Sequence, residues 1–498
     1  MTVEEQKSAG LTGKVAAGAA WIVAARLVMR SLGFINTIIL ARLLAPADFG
    51  VVAIATAAMQ LLQGVTDFGV SQAVIKFRSS GRAALDPLFT LSAIRGVVIA
   101  AFLFAIAGPA AQFYDDPRVF WVFAGISLYP LILGFLNPAF YEFERDLKLS
   151  KEFISNSINK LISVAVSIAV AVIFKNYWAI ILGLSAGALV QLLLSYVLRP
   201  YLPRFTLRGV GDVLGFSGWL FGVSIVTALN NKLDMFIVAR AVTPAETGLY
   251  SVGGQFAELP TTEIAAPIAR AVYPGLSALQ DQPQRMAPAF LKGVEALAVT
   301  CLPAAFGLTF VARDAVPLLL GDQWREAIPV VQFAGPVLGF QCIFIATYYY
   351  ALALGRARLI FMREVLYFVL RLPPFAWAVF AHGLMGAIVA GGLLGFIRVG
   401  LNLAVYAQAS GRPFWEPLWR ARRPIGAVAA MSLYFLLLRP QFDLPDSQPL
   451  IRLAADIIAG GAVYCAALLG LWRAEGGPDG VESLLVRTLR RIRRKSPA

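Results

Sequence analysis

Charge is scarce in this chain. Asp, Glu, Lys and Arg make up 14% of its 498 residues, against about 25% in an average soluble domain, so an ordinary water-solvated globule is excluded. Histidine occurs once, as His382 in a short turn, and cysteine three times, at Cys301, Cys342 and Cys465, each inside an apolar segment. One imidazole and an odd, scattered trio of thiols support neither a disulfide framework nor a metal motif, so no metal or other cofactor is expected. The glycine-rich phosphate loop of ATPases is missing, as are the zinc-protease and serine-hydrolase signatures. The adjacent acid pair Asp115-Asp116 falls on the outer side, and the loops are too short for a catalytic domain. Enzymatic chemistry has little to stand on. Long Ser, Gly or Pro linkers are also lacking, so no appended soluble domain is expected.

Apolar residues, by contrast, make up 58% of the chain. At about 20 residues per crossing, the sequence holds fourteen apolar stretches, the first near 16–41 and the last near 449–472. The expected fold class is an all-α integral membrane protein with about 14 transmembrane helices. Met1 to Lys14 is polar, and the first apolar stretch is long and carries Arg26 and Arg30, which fits a retained span rather than a cleaved leader.

The chain also says one thing twice. Ile39-Leu-Ala-Arg-Leu-Leu-Ala-Pro-Ala-Asp-Phe-Gly50 returns as Ile237-Val-Ala-Arg-Ala-Val-Thr-Pro-Ala-Glu-Thr-Gly248, and at the same offset Gly13 meets Gly211, Trp21 meets Trp219 and Asn36 meets Asp234. A duplicated helical unit in an apolar chain marks a transporter built from two similar lobes around a site. Assigning Lys and Arg to alternate loops gives 28 on one side against 7 on the other. The positive-inside rule then puts both termini in the cytoplasm. The net charge of +14 thus reports topology, and no nucleic-acid partner is expected. Six crossings per lobe is an even number, so the second copy enters the membrane in the same direction as the first, a parallel repeat. The expected division is an N-lobe at 1–200 (spans 1–6), a C-lobe at 201–408 (spans 7–12), two further spans at 409–472 and a basic cytoplasmic tail at 473–498. That tail is expected to lie near anionic phospholipid.

Eight cations fall within spans: Arg26, Arg30, Arg95, Lys160, Lys232, Arg371, Arg398 and Arg452. Each would cost about 2.5–3.5 kcal/mol at the centre of an isolated helix, so together they cannot face lipid. Arg452 and Lys160 lie near enough to span ends to snorkel. Arg26 and Arg30 share a helix face at i, i+4 spacing, and Arg371 and Arg398 are also deep. Cavity cations are therefore expected among Arg26, Arg30, Arg95, Arg371, Arg398 and Lys232, the alternative for each being a structural ion pair or a contact to a carbonyl. Asp67, Asp234, Glu258 and Glu263 are coupling or pairing acids, with Glu258 and Glu263 flanking Pro260. A net positive cavity suits an anion, and arginine is the better phosphate ligand because its planar fork bonds bidentately. Asn36, Gln60, Gln63, Asn230, Asn231 and Asn402 could serve sugar hydroxyls.

Four stretches bear on family. Ala41-Arg-Leu-Leu-Ala-Pro-Ala-Asp-Phe-Gly50 followed by Thr66-Asp-Phe-Gly-Val-Ser-Gln-Ala-Val-Ile75, the inner loop Glu142-Phe-Glu-Arg-Asp-Leu-Lys148, and the outer loop Leu320-Gly-Asp-Gln-Trp-Arg-Glu-Ala327 resemble Wzx-type polysaccharide flippases of the multidrug/oligosaccharidyl-lipid/polysaccharide exporter superfamily. The resemblance implies translocation of an undecaprenyl-diphosphate-linked oligosaccharide across the bacterial inner membrane for exopolysaccharide, capsule or O-antigen synthesis. It also implies alternating access coupled to a proton or sodium gradient, with a polysaccharide polymerase and glycosyltransferases as partners. The rival readings are a multidrug or cation antiporter of the same superfamily, which would want an acidic or aromatic cavity, and a membrane polysaccharide polymerase or ligase, which would want a large outer loop.

Overall fold

The computed structural model describes residues 32–66, 82–145, 149–208, 218–265, 267–268, 275–276, 279, 282–441, 448–478 and 480–483. Among the described residues helix is the regular structure, with no strand, and ten helices are long and apolar enough to cross a membrane. Helix is what lipid dictates, because a helix satisfies its own backbone polar groups where water cannot. Large apolar side chains lie open on these helices, Ile173 and Ile458 at 71% and Leu393 at 66% exposure. In water such surfaces would aggregate; in lipid they are the solvated face.

The chain divides into two compact units, residues 1–228 and 229–498. The first contains α1 (Leu32–Leu43), α2 (Pro46–Val65), α3 (Arg82–Phe113), α4 (Pro117–Ile126), α5 (Leu128–Gly134), α6 (Leu149–Phe174) and α7 (Trp178–Leu198). Asp116 starts α4 as its N-cap, accepting from the Arg118 backbone N–H at 2.9 Å, with Pro117 at the first helical position. Both choices suit a helix start, since proline has no N–H to orphan there. Close packing in this unit rests on small residues, as expected where helices gain nothing from leaving lipid. A Cβ built on Gly96 of α3 would lie 2.6 Å from the Pro130 carbonyl oxygen and 2.7 Å from the Gly134 Cα of α5. Gly96→Val is accordingly expected to force α3 and α5 apart and destabilise the protein by about 1–3 kcal/mol, read as a lower melting temperature in detergent.

α8 (Gly218–Ala241) carries the chain from the first unit into the second. The second unit continues with α9 (Pro244–Ala257), α10 (Pro283–Leu320), α11 (Ile328–Ile343), α12 (Ile345–Ala353), α13 (Ala357–Ser410), α14 (Arg422–Leu433) and α15 (Pro449–Ala474). The repeated motif is the same structural event in both units, a helix end, a two-residue break and a new helix with proline at its start. In the second copy Thr243 and Glu246 complete a reciprocal capping box; Ala45, at the matching place in the first, has no side chain to do so. The core of this unit packs α10 against α12 and α13 through Phe290, whose ring lies 4.8 Å from Tyr350 and 5.1 Å from Tyr406.

α13 is two limbs rather than one 54-residue rod. At Gly383 the backbone takes φ 59° and ψ −139°, a region open to glycine and strained for any side chain. The limbs fold back on one another there, and this reversal builds the site.

Candidate functional site

The first limb of α13 carries Glu364, Tyr367 and Arg371 at three- and four-residue spacings, which put them on one helix face, with Arg363 next to Glu364 in the chain. After the turn at Gly383 the second limb brings Arg398 and Asn402 back to the same level. Asn230 and Asp234, one turn apart on α8, complete the cluster. Glu364 is the hub. Buried to 1% exposure, its carboxylate accepts from Arg363, from Arg398 Nη2 at 3.2 Å to both oxygens, and from Asn230 Nδ2 at 2.9 Å. Arg363 also donates to the Asn402 side-chain oxygen at 2.7 Å. About 10 Å further along the first limb, by helical rise, Arg371 pairs with Asp234 and donates to the Asn230 carbonyl at 3.0 Å. Tyr367 stands between the two groups, with the Arg398 guanidinium 5.1 Å and the Arg371 guanidinium 5.4 Å from its ring centroid. An aromatic face attracts cations, so the ring holds both guanidinium planes.

Three arginines share two carboxylates here. Ion pairing quenches most of the cationic charge and leaves a formal +1 in the cluster. Arg398 is the most accessible member, its side chain 24% exposed against 13% for Arg371 and 8% for Arg363. The Nε atoms of Arg363 and Arg371 are buried without an acceptor, so donor capacity remains beside the pairs.

The expected cavity cations separate into distinct settings. Arg371 and Arg398 come together through Tyr367, each on a carboxylate rather than free, and Asp234 is a pairing acid. Lys232 is half-buried and electrostatically attracted to Glu258. Glu258 closes α9, and Glu263 lies beyond Pro260 in a π-helical turn, Thr261–Ala265, where its carboxylate accepts from the Thr262 hydroxyl at 3.2 Å. Arg95 belongs to the first unit. It donates to the Gln63 carbonyl at 2.7 Å and the Thr66 hydroxyl at 3.0 Å, which satisfies the C-terminal end of α2 with charge of the favoured sign. Arg26, Arg30 and Asp67 lie outside the described residues. Asn230 and Asn402, expected to serve sugar hydroxyls, lie in this cluster, Asn230 donating to Glu364 and Asn402 accepting from Arg363.

Two members lie outside the residues expected from the sequence: Arg363, which sits in α13 and is 9% exposed, and Glu364 beside it, 1% exposed. The signal that could have found them is the spacing from Glu364 through Tyr367 to Arg371, which aligns an acid, an aromatic ring and a base on one face.

These helices and this buried cluster define a multi-pass membrane protein with a cationic, charge-paired site inside one helical unit. The fold is that of a solved membrane protein, the lipid II flippase MurJ in an inward closed conformation, with a TM-score of 0.72 at 14% identity, covering 91% of this chain and 98% of that one. The chain belongs to the polysaccharide biosynthesis protein family, which it matches over residues 39–329. Among its relatives, the succinoglycan biosynthesis transport protein ExoT of Rhizobium meliloti is 24% identical over 453 residues, 90% of this chain and 91% of that protein. The lipopolysaccharide biosynthesis protein WzxC of Escherichia coli is 25% identical over 331 residues, 65% of this chain and 66% of that protein.

Proposed function

We propose that this protein is a flippase for lipid-linked oligosaccharide, moving a polyprenyl-diphosphate-linked saccharide from the inner to the outer leaflet of the bacterial inner membrane during surface polysaccharide synthesis. Family membership and the names of its relatives support the pathway. The observation that carries the choice of cargo is Glu364 held between Arg363 and Arg398. One carboxylate cannot neutralise two guanidinium groups, so a positive charge is left over inside a membrane helix. A diphosphate linker is the complementary ligand, and Arg398 is the arginine open enough to reach it. Charge-assisted hydrogen bonds of about 1.5–3 kcal/mol each hold such a headgroup without preventing release, while the lipid tail stays in the bilayer. A multidrug or cation antiporter would want surplus negative charge instead.

Fourteen crossings fit this reading. The ten long helices count as eleven once α13 is divided at Gly383, and α1 is a further, shorter apolar helix; the reading takes α9 and α14 as parts of the remaining two crossings. Lobes at 1–200 and 201–408, two added spans to 472, cytoplasmic termini and coupling to a proton or sodium gradient belong to the same proposal. So do anionic phospholipid, polymerase and glycosyltransferase partners. The protein transports and performs no covalent chemistry. In proteoliposomes, a fluorescent polyprenyl-diphosphate saccharide should cross between leaflets faster with the protein than without it. Equal rates would overturn the reading.

A further inference from the structure

Beyond the end of α7 the backbone does not turn straight into another helix. Residues 199–208 form no regular structure and are tied along the start of α3, with some side chains turned inward and others exposed. On the inward face, Tyr201 packs against Leu85, Leu88 and Ala139 and donates its hydroxyl to the Asp86 carboxylate at 2.5 Å. Burial and that carboxylate together hold its phenol above the usual range, so it stays a donor. The Arg204 N–H donates to Asp86 at 3.0 Å and the Thr206 N–H donates to the Thr90 hydroxyl at 2.9 Å. On the outward face, Leu202 and Leu207 are 78% and 69% exposed, and Phe205 is 68% exposed with its ring resting 5.2 Å from that of Phe89 on α3, with Arg204 and Arg208 also exposed. Neither arginine has a carboxylate partner among the described residues. The neighbouring Arg199 is already paired with Glu142 at 2.5 Å.

The anchors set the depth. The apolar span of α3 runs Leu85–Phe113, so Asp86 and Thr90 occupy its first two turns, within about 8 Å of its start by helical rise. That is the depth at which interfacial segments lie, about 5–10 Å into the headgroup and acyl boundary. Irregular backbone at this level must have its polar groups satisfied, which explains why alternate N–H groups are tied to Asp86 and Thr90. The exposed face mixes apolar side chains with two guanidinium groups that have no carboxylate partner among the described residues, a combination that suits a lipid surface of negative charge.

We propose that the 199–208 strap is a docking surface for acidic phospholipid. Leu202, Phe205 and Leu207 enter the acyl boundary, while Arg204 and Arg208 hold headgroup phosphates. The inference concerns resident lipid and needs no transported saccharide, so it stands or falls separately from the flippase reading.

The test places a nitroxide at Leu202→Cys in a Cys465→Ser background, which removes the exposed thiol and leaves Cys301 and Cys342 buried. The full chain is set in nanodiscs of phosphatidylcholine, with or without phosphatidylglycerol. The label should collide more with oxygen than with a water-soluble nickel chelate, and more so when phosphatidylglycerol is present. Replacing both arginines, Arg204→Gln with Arg208→Gln, should weaken the preference for phosphatidylglycerol about tenfold or more. A label open to the nickel chelate in both lipid mixtures overturns the proposal, whatever the fate of the double variant. A label drawn in by added polyprenyl diphosphate and not by phosphatidylglycerol also overturns it, and assigns the strap to the cargo.

Discussion

Glu364→Ala is expected to strip the membrane of folded protein, whereas Arg398→Ala is expected to leave it folded but unable to export. The two residues touch, yet their removal leaves different debts of charge. Without Glu364, Arg363 and Arg398 face each other with no counter-charge, one of them almost fully buried. Leaving a buried charge uncompensated costs about 3–5 kcal/mol, a large part of a net stability of about 5–15 kcal/mol. Without Arg398, Glu364 still has Arg363 and Asn230, so the fold survives while the surplus cation is gone. Fluorescence-detected gel filtration of membrane extracts reads the first effect, and the proteoliposome assay reads the second. Wild-type abundance and heat stability in Glu364→Ala would show that the ion cluster does not hold the helices. Arg398→Lys should restore export only in part, because an ammonium cannot reproduce the bidentate fork.

The pair Arg371–Asp234 supplies the second large effect, governed by the formal charge left in the cluster. Arg371→Ala lowers that charge from +1 to zero and orphans Asp234. Export is expected to fall about 10- to 150-fold, the equivalent of one charge-assisted bond. Asp234→Asn raises the charge to +2 and keeps an acceptor for Arg371, so export should persist. Combining Arg371→Met with Asp234→Leu restores +1 and removes both buried charges at once, an exchange that is often neutral or stabilising. The combined variant should therefore regain abundance and most of its export relative to Arg371→Ala alone. Export that tracks protein abundance, irrespective of net charge, would reduce this pair to packing.

Helix architecture was legible because its causes are local. Long apolar runs demand helices in lipid, and Pro46 and Pro244 mark the two repeated helix starts in the positions where proline is tolerated. Deep ionisable residues were legible for the same reason, since each is costly wherever its partner lies. Arg371, Arg398 and Asp234 stood out on that ground, and their transport role rests on the proposal above. The partners were not legible. Arg398 meets Glu364 across 34 residues, a register set by the turn at Gly383 and by how the limbs of α13 pack. Arg363 and Glu364 sit within two turns of the helix start, where a charged pair reads as a loop flank until its burial is known. Arg95 shows the same limit: its depth is legible in the sequence, while its bonds to the Gln63 carbonyl and the Thr66 hydroxyl at the end of α2 are not.

The central claim is that surplus positive charge around Glu364 recognises the diphosphate of a lipid-linked saccharide. The most direct measurement is the affinity of the purified protein for such a lipid, and for the same lipid lacking its diphosphate, in wild type and Arg398→Gln. Wild type should prefer the diphosphate form, and the variant should lose about 10-fold or more of that preference while binding the uncharged lipid unchanged. Equal preference in both proteins would contradict the claim.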